Sequence, residues 1–167
     1  LTGIRESDIN TKINNLDLDD KITWGISAKQ GVCDLCFISA DSGFSDKEKI
    51  RAIINNEFKG FIIGENYTSP EDELINILKQ RRLTVSTAES CTGGLIGKRF
   101  TDVPGSSEVY AGTITAYSNS IKTDMLGVKE ETLSKFGAVS EETAAEMVLG
   151  ISRLFKTEVG ISVTGIA

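Results

Sequence analysis

The stretch Thr87-Ala88-Glu89-Ser90-Cys91-Thr92-Gly93-Gly94 gathers a hydroxyl, a thiol, a carboxylate and two adjacent glycines, a set suited to nucleophilic chemistry. It follows the short apolar run Leu83-Thr84-Val85, which reads as a buried strand. It leads into Leu95 to Phe100, whose apolar residues recur at helical spacing. A strand, a turn and a helix in that order put Ser90 just ahead of a helix start. Glycines there let backbone come close to a bound group, and free amides at the positive end of a helix favour an anion or a developing oxyanion. The Gly-x-Ser-x-Gly pattern of a nucleophile elbow is absent, and a turn capped by Ser or Thr accounts for the same residues without chemistry.

The chain contains no histidine. Serine-histidine-aspartate and cysteine-histidine arrangements are therefore excluded within it, and a nucleophile would need another base, for which neutral lysine is the usual substitute. The search narrows to lysines that the fold brings near Ser90. Three cysteines, Cys33, Cys36 and Cys91, make no disulfide framework. Cys33-Asp34-Leu35-Cys36 has zinc-ligand spacing, but without a second pair or a histidine no complete zinc site can be built, and both cysteines read as strand residues.

With 167 residues, 40% of them hydrophobic, the chain is long enough for one full domain or two small ones. Its net charge of -6, from 18 basic and 24 acidic side chains, argues against a broad phosphate-backbone footprint. No run approaches a membrane span and no secretory leader opens the chain, so a cytoplasmic protein is expected, with neither membrane nor nucleic acid as partner.

The elements that must position these residues fall into two groups. In the first, Ser7 to Ile13 reads as a short helix with Ser7 as its cap. Ile22–Ser27 and Val32–Ile38 form a hairpin about Lys29-Gln30-Gly31, Ser45-Asp46-Lys47-Glu48 opens an amphipathic helix to about Glu57, and Gly60 to Gly64 supplies a third strand. This α-β-β-α-β block, residues 1–65, suits a small α+β domain of KH-like shape, yet the only Gly-x-x-Gly spacing, Gly94 to Gly97, lies outside it, so a scaffold is expected. Glu65 to Thr68 connects the block to the second group of elements.

In that second group, Ser69-Pro70-Glu71-Asp72 starts a helix with Leu74, Ile77 and Leu78 buried, which delivers the chain to the strand before Ser90. Val109 to Tyr117 reads as a second, parallel strand running into Ser118-Asn119-Ser120, which caps the helix bearing Lys122. Tyr117 thus lies at a strand end, where open α/β sheets place their sites, and Lys122 about one turn beyond; a strand aromatic and a solvated lysine are the plain alternatives. Glu130 to Phe136 forms a short helix stopped by Gly137, Ser140 caps a longer one, and Val159 to Ala167 reads as a buried strand. The expected architecture is a three-layer α/β sheet domain with flanking helices over residues 69–167, truncated at its C-terminus and preceded by the KH-like block.

Ala88-Glu89-Ser90-Cys91-Thr92-Gly93-Gly94, Val103 to Ser107, Ala116-Tyr117-Ser118-Asn119, Gly137 to Glu142 and Val163-Thr164-Gly165-Ile166-Ala167 succeed one another in an order that resembles the carboxy-terminal domain of the CinA family, the nicotinamide-nucleotide amidohydrolases. The preceding block more loosely resembles the KH-like middle domain of longer CinA proteins. The resemblance implies hydrolysis of the carboxamide of nicotinamide mononucleotide to nicotinate mononucleotide and ammonia, without metal or cofactor. By it Ser90 is the nucleophile, Tyr117 and Lys122 complete a Ser/Lys/Tyr site, and Thr92, Gly93, Gly94, Thr164 and Gly165 bind substrate. It also implies strands and a loop beyond Ala167 and a further amino-terminal domain in the full-length protein, with a small nucleotide and further copies of the chain as partners.

The mechanism expected from it has Lys122 take the Ser90 proton, with Tyr117 relaying or orienting it, and amides around Thr92 to Gly94 stabilising the oxyanion. Lys122 must then be shielded from water and from carboxylates, and Glu89 is the neighbour that would spoil it. Cys91 is the rival nucleophile. A non-catalytic nucleotide sensor and an interaction module linked to competence or DNA damage responses are the alternatives.

Overall fold

The computed structural model describes residues 1–29, 31–39, 44–65 and 69–166, with the side chains of 44–46 excepted. The turn residue Gln30, the side chains of the cap residues Ser45 and Asp46, the connection at Asn66 to Thr68 and the motif end Ala167 lie outside what is described. The chain divides into two units, Leu1–Pro70 and Glu71–Ala167.

In the first unit, helix α1 (Glu6–Asn14) precedes an antiparallel hairpin of β1 (Ile22–Lys29) and β2 (Val32–Ser39), followed by α2 (Phe44–Glu57). Helix α1 begins two residues earlier than a Ser7 cap would place it: Arg5 holds the cap position and clasps Asp8 at 2.9 and 3.0 Å, so Ser7 lies inside the helix. Ile9 and Ile13, four apart on one face, are buried with Cys33 and Phe58, and Trp24, Leu35, Phe37 and Ile62 pack against them. The third strand expected at Gly60 to Gly64 does not form. Its apolar residues are used for burial rather than pairing, and one backbone bond, Thr2 N–H to the Phe61 carbonyl at 2.8 Å, ties the segment down.

In the second unit, α3 (Pro70–Arg81) leads to β3 (Val85–Glu89), α4 (Leu95–Thr101), β4 (Tyr110–Thr115), α5 (Asn119–Leu126), α6 (Glu130–Phe136), α7 (Glu141–Phe155) and β5 (Val159–Val163). The three strands form a parallel sheet in the order β4-β3-β5. Apolar side chains of α3 and α4 (Ile75, Leu78, Phe100) pack with Val85 on one face; Leu126 of α5 and Met147 and Ile151 of α7 pack with Ala88 on the other. The caps fall where short polar side chains allow: Ser118 Oγ accepts from Ile121 N–H at 3.3 Å and Ser140 Oγ from Thr143 N–H at 3.2 Å, while Gly127 (φ +68°) stops α5.

Strand β3 is displaced from its sequence reading. It begins at Val85 rather than Leu83 and runs through Thr87-Ala88-Glu89, every residue buried. Its polar side chains look like turn chemistry, but each finds a partner inside: Ser86 Oγ meets Thr157 Oγ1 at 2.7 Å and Thr87 Oγ1 meets Tyr110 Oη at 3.2 Å. A central strand covered on both faces tolerates such residues once they are bonded.

Helix α7 lies close against α5 at Gly150, where a Cβ would penetrate the Leu126 carbonyl. Since that obstacle is backbone, it cannot swing aside. Gly150→Ala is expected to destabilise the second unit by about 3 kcal/mol or more, read as a lowered denaturant midpoint; an unchanged midpoint would show that the two helices have slack.

Candidate active site

Alternation along the central strand determines what the site contains. Successive side chains of a strand point to opposite faces. Thr87 and Glu89 therefore face α4, while Ala88 faces α7. Ser90 continues the pattern as its N–H bonds the Val163 carbonyl at 2.9 Å, which carries the ladder one residue past β3 and delivers its side chain to the α5 face.

Lys122, from the first turns of α5, is 1% exposed. Its Nζ lies 3.1 Å from Ser90 Oγ, 2.7 Å from the Ala116 carbonyl and 3.3 Å from the Tyr117 carbonyl. Burial pushes its amine below the ordinary lysine value, opposed only in part by the nearby Cys91 thiol group. No carboxylate pairs with it among the described residues. An ammonium could donate to all three oxygens, whereas a neutral amine donates to the two carbonyls and keeps its lone pair for the Ser90 O–H. The second arrangement is that of a nucleophile and its base.

Glu89 is fully buried on the far side of the strand. Its carboxylate accepts from Thr92 Oγ1 at 2.7 Å, Gly94 N–H at 3.1 Å, Ile96 N–H at 3.0 Å, Gly97 N–H at 2.7 Å and Thr113 Oγ1 at 3.2 Å. Burial alone would raise its pKa, but these bonds outweigh it and hold the carboxylate below its ordinary value. Gly97 permits the approach, because a Cβ there would strike the Tyr110 hydroxyl and Thr113. The acid that threatened Lys122 thus serves as the N-terminal cap of α4, with the sheet between them.

Two expectations change as a result. The amides of Gly93 and Gly94 are already engaged, by the Ser90 carbonyl at 3.1 Å and by Glu89, and the Thr92 hydroxyl is turned to Glu89. The N–H groups of Cys91 and Thr92 bond to nothing among the described residues and come directly after the serine. They, rather than the glycine amides, are placed to meet an oxyanion. Tyr117 reaches Lys122 through its backbone carbonyl; the residue is 73% exposed and its hydroxyl makes no hydrogen bond among the described residues. The direct contact between Lys122 and Ser90 leaves no gap for a relay in this arrangement.

Thr164 and Gly165 lie past β5. Thr164 Oγ1 donates to the Ala138 carbonyl at 2.6 Å, tying the loop before α7 to the sheet edge, and Gly165 passes so close to Cys91 that a Cβ would sit 3.1 Å from its Sγ. The sulfur therefore faces Gly165, while the lysine bonds the serine. No group of three His, Cys, Asp or Glu side chains among the described residues could hold a metal ion. No helix among them is long and apolar enough to cross a membrane.

The role of Glu89 was missed by sequence reasoning, although a carboxylate just ahead of a helix start is a recognisable complement to its dipole. Glu89→Gln puts an amide N–H₂ among donors and is expected to cost about 2 to 4 kcal/mol at neutral pH. Because the folded pKa is depressed, the stabilisation by Glu89 is present above the unfolded value of about 4.3 and lost as pH falls through the folded one. The stability gap between wild type and variant, measured by denaturation, should narrow as pH falls below about 4.3; a gap independent of pH would contradict the charged cap.

Residues 67–167 match the family model of the CinA C-terminal domain. The chain is 42% identical over 171 residues to a putative competence-damage inducible protein of Halothermothrix orenii, covering 99% of this chain and 41% of that protein. It is 51% identical over 114 residues to a CinA-like protein of Kosmotoga olearia, covering 68% of this chain and 28% of that protein. It thus spans about two fifths or less of the length of these curated relatives. Among solved structures it resembles the competence/damage inducible protein CihA of Agrobacterium tumefaciens, with 41% identity and a TM-score of 0.53 over 62% of this chain and 65% of that one. A competence or damage-inducible protein of Enterobacter asburiae matches with 34% identity and a TM-score of 0.56 over 57% of this chain and 60% of that one. The serine-lysine pair thus sits inside the matched region, and the chain belongs to the CinA C-terminal domain family.

Proposed function

We propose that the second unit is an amidohydrolase that deamidates nicotinamide mononucleotide to nicotinate mononucleotide and ammonia, with Ser90 as nucleophile and Lys122 as base. The observation that carries this reading is a buried amine 3.1 Å from a serine hydroxyl at the C-terminal end of a central parallel strand, with no acid beside it among the described residues. The substrate is inferred from the resemblance of the motifs.

In this mechanism neutral Lys122 accepts the Ser90 proton as Oγ bonds to the carboxamide carbon. The carbonyl oxygen, now negative, is held by the N–H groups of Cys91 and Thr92. Lys122 returns the proton to the departing nitrogen, the C–N bond breaks and ammonia leaves an acyl-serine. Water, deprotonated by the same amine, then releases the nicotinate product. Thr164 and Gly165 would shape the pocket wall beside Cys91, and the exposed Tyr117 ring would stand at its rim. The first unit, of KH-like helix-and-hairpin composition, would act as a scaffold.

Ammonia release from nicotinamide mononucleotide by the full-length protein tests the reading. Ser90→Ala should lower kcat by about a thousandfold or more, and Cys91→Ala by less than about tenfold; the reverse pattern would make the thiol the nucleophile. Substrate binding without turnover in wild type would instead indicate a nucleotide sensor.

Lys122→Met should abolish turnover with a distinct stability signature. A lysine whose folded pKa is depressed opposes folding below its unfolded value of about 10.4, since it must shed a proton or bury a charge. The Met variant should therefore gain most in Tm relative to wild type near pH 7, and this advantage should fade as pH approaches about 10.4. An advantage that is the same at both pH values would mean the amine stays charged in the fold.

A further inference from the structure

The first unit has an open slot lined by backbone that is arranged for pairing. A groove of about 510 Å³ runs along β2, between its outer edge, the Ile50–Ile54 face of α2 and the Ile62–Gly64 segment. In an antiparallel pair, residues alternate between bonding one neighbour and facing away from it. Cys33 faces away from β1, because its N–H donates to the Leu1 carbonyl and its own carbonyl accepts from the Leu1 nitrogen, both at 2.9 Å. The register of β1 with β2 is unbroken from Ile22↔Ser39 to Lys29↔Val32, so Leu35 and Phe37 face outward as Cys33 does. Their outward backbone groups meet no partner among the described residues.

Leu1 already behaves as a residue of a further strand on that edge. Exchange of both hydrogen bonds between Leu1 and Cys33 is the signature of an antiparallel hydrogen-bonded pair. The next residue, Thr2, turns the other way and donates to Phe61 across the groove at 2.8 Å. Strand polarity then requires that chain preceding Leu1 run along β2 from Asp34 towards Ser39. Curated relatives are more than twice as long as this chain while matching nearly all of it.

We propose that in the full-length protein the segment immediately preceding Leu1 lies in this groove as a β-strand, pairing antiparallel with β2 in the register that Leu1 and Cys33 define. The first residue before Leu1 stands opposite Asp34 and the second opposite Leu35, on the buried face shared by Leu1, Cys33 and Leu35. Six preceding residues, about 20 Å of strand, reach Ser39. The far edge of the new strand meets the Phe61–Ile63 segment, which explains why that apolar run reads as a strand yet lies unpaired without its neighbour. The arrangement also blunts an exposed apolar edge that would otherwise invite pairing with other molecules.

Amide hydrogen exchange and NMR on the full-length protein, compared with the chain starting at Leu1, test this without any substitution. The Leu35 and Phe37 amides should exchange at least about 100-fold more slowly in the full-length protein. An Hα–Hα contact should join Asp34 to the residue immediately before Leu1, because that pair is the close, non-hydrogen-bonded type. Equal exchange in the two proteins would overturn the proposal. So would an Asp34 contact to any other segment, or protection in the shorter chain that grows with its concentration, which would mark a second copy as the occupant.

Discussion

A buried amine without a countercharge among the described residues is the constraint on which the second unit is built. Taking Lys122 out of water disfavours its ammonium form, and any carboxylate beside it would reverse that. The fold meets the condition through three separate devices. Helix α5 starts a short connection after β4, at Asn119, and brings Lys122 to the end of β3. The carbonyls of Ala116 and Tyr117, left over where β4 ends, occupy two positions around the nitrogen without adding charge. The third device is the pleat of β3, which turns Ser90 and Glu89 to opposite faces.

That pleat gives the glutamate a second use. A seven-residue helix such as α4 has little stability of its own, and its first amides have no partner within the helix. Glu89 bonds the amides of Gly94, Ile96 and Gly97 and so anchors α4 to the strand that presents the serine. The helix start that sequence alone marks as an anion site is therefore occupied by the protein's own anion. Among the described residues the two amides between Ser90 and Gly93 remain open, next to the serine.

Most of the helices were legible because their ends are written in local chemistry: Ser118 and Ser140 as caps, Gly137 as a stop. Strand β3 was not, since Ser86, Thr87 and Glu89 are ordinary turn residues until partners from Thr157, Tyr110 and α4 are supplied by distant parts of the chain. The pairing of Ser90 with Lys122 could be expected from the absence of histidine and from motif resemblance, but not from spacing, because 32 residues separate them. Tyr117 illustrates the opposite failure. Position in sequence brings its backbone to the site, while its side-chain direction depends on the path of the strand end and leaves the ring in solvent. At Gly60 to Gly64 composition promised a strand, but a strand also needs an edge to join, which no local pattern records.

The close seating of α7 on the carbonyl end of α5 bears on how such a domain can diverge. Gly150 contacts the last turn of the same helix that carries Lys122, so the distance between the two helices acts as a gauge for the reach of the amine. Thermostability engineering commonly trades helical glycines for alanine. In this helix pair the trade would force α5 to slide, and the amine would slide with it, so sturdier descendants of this scaffold have to find their gains elsewhere on its surface.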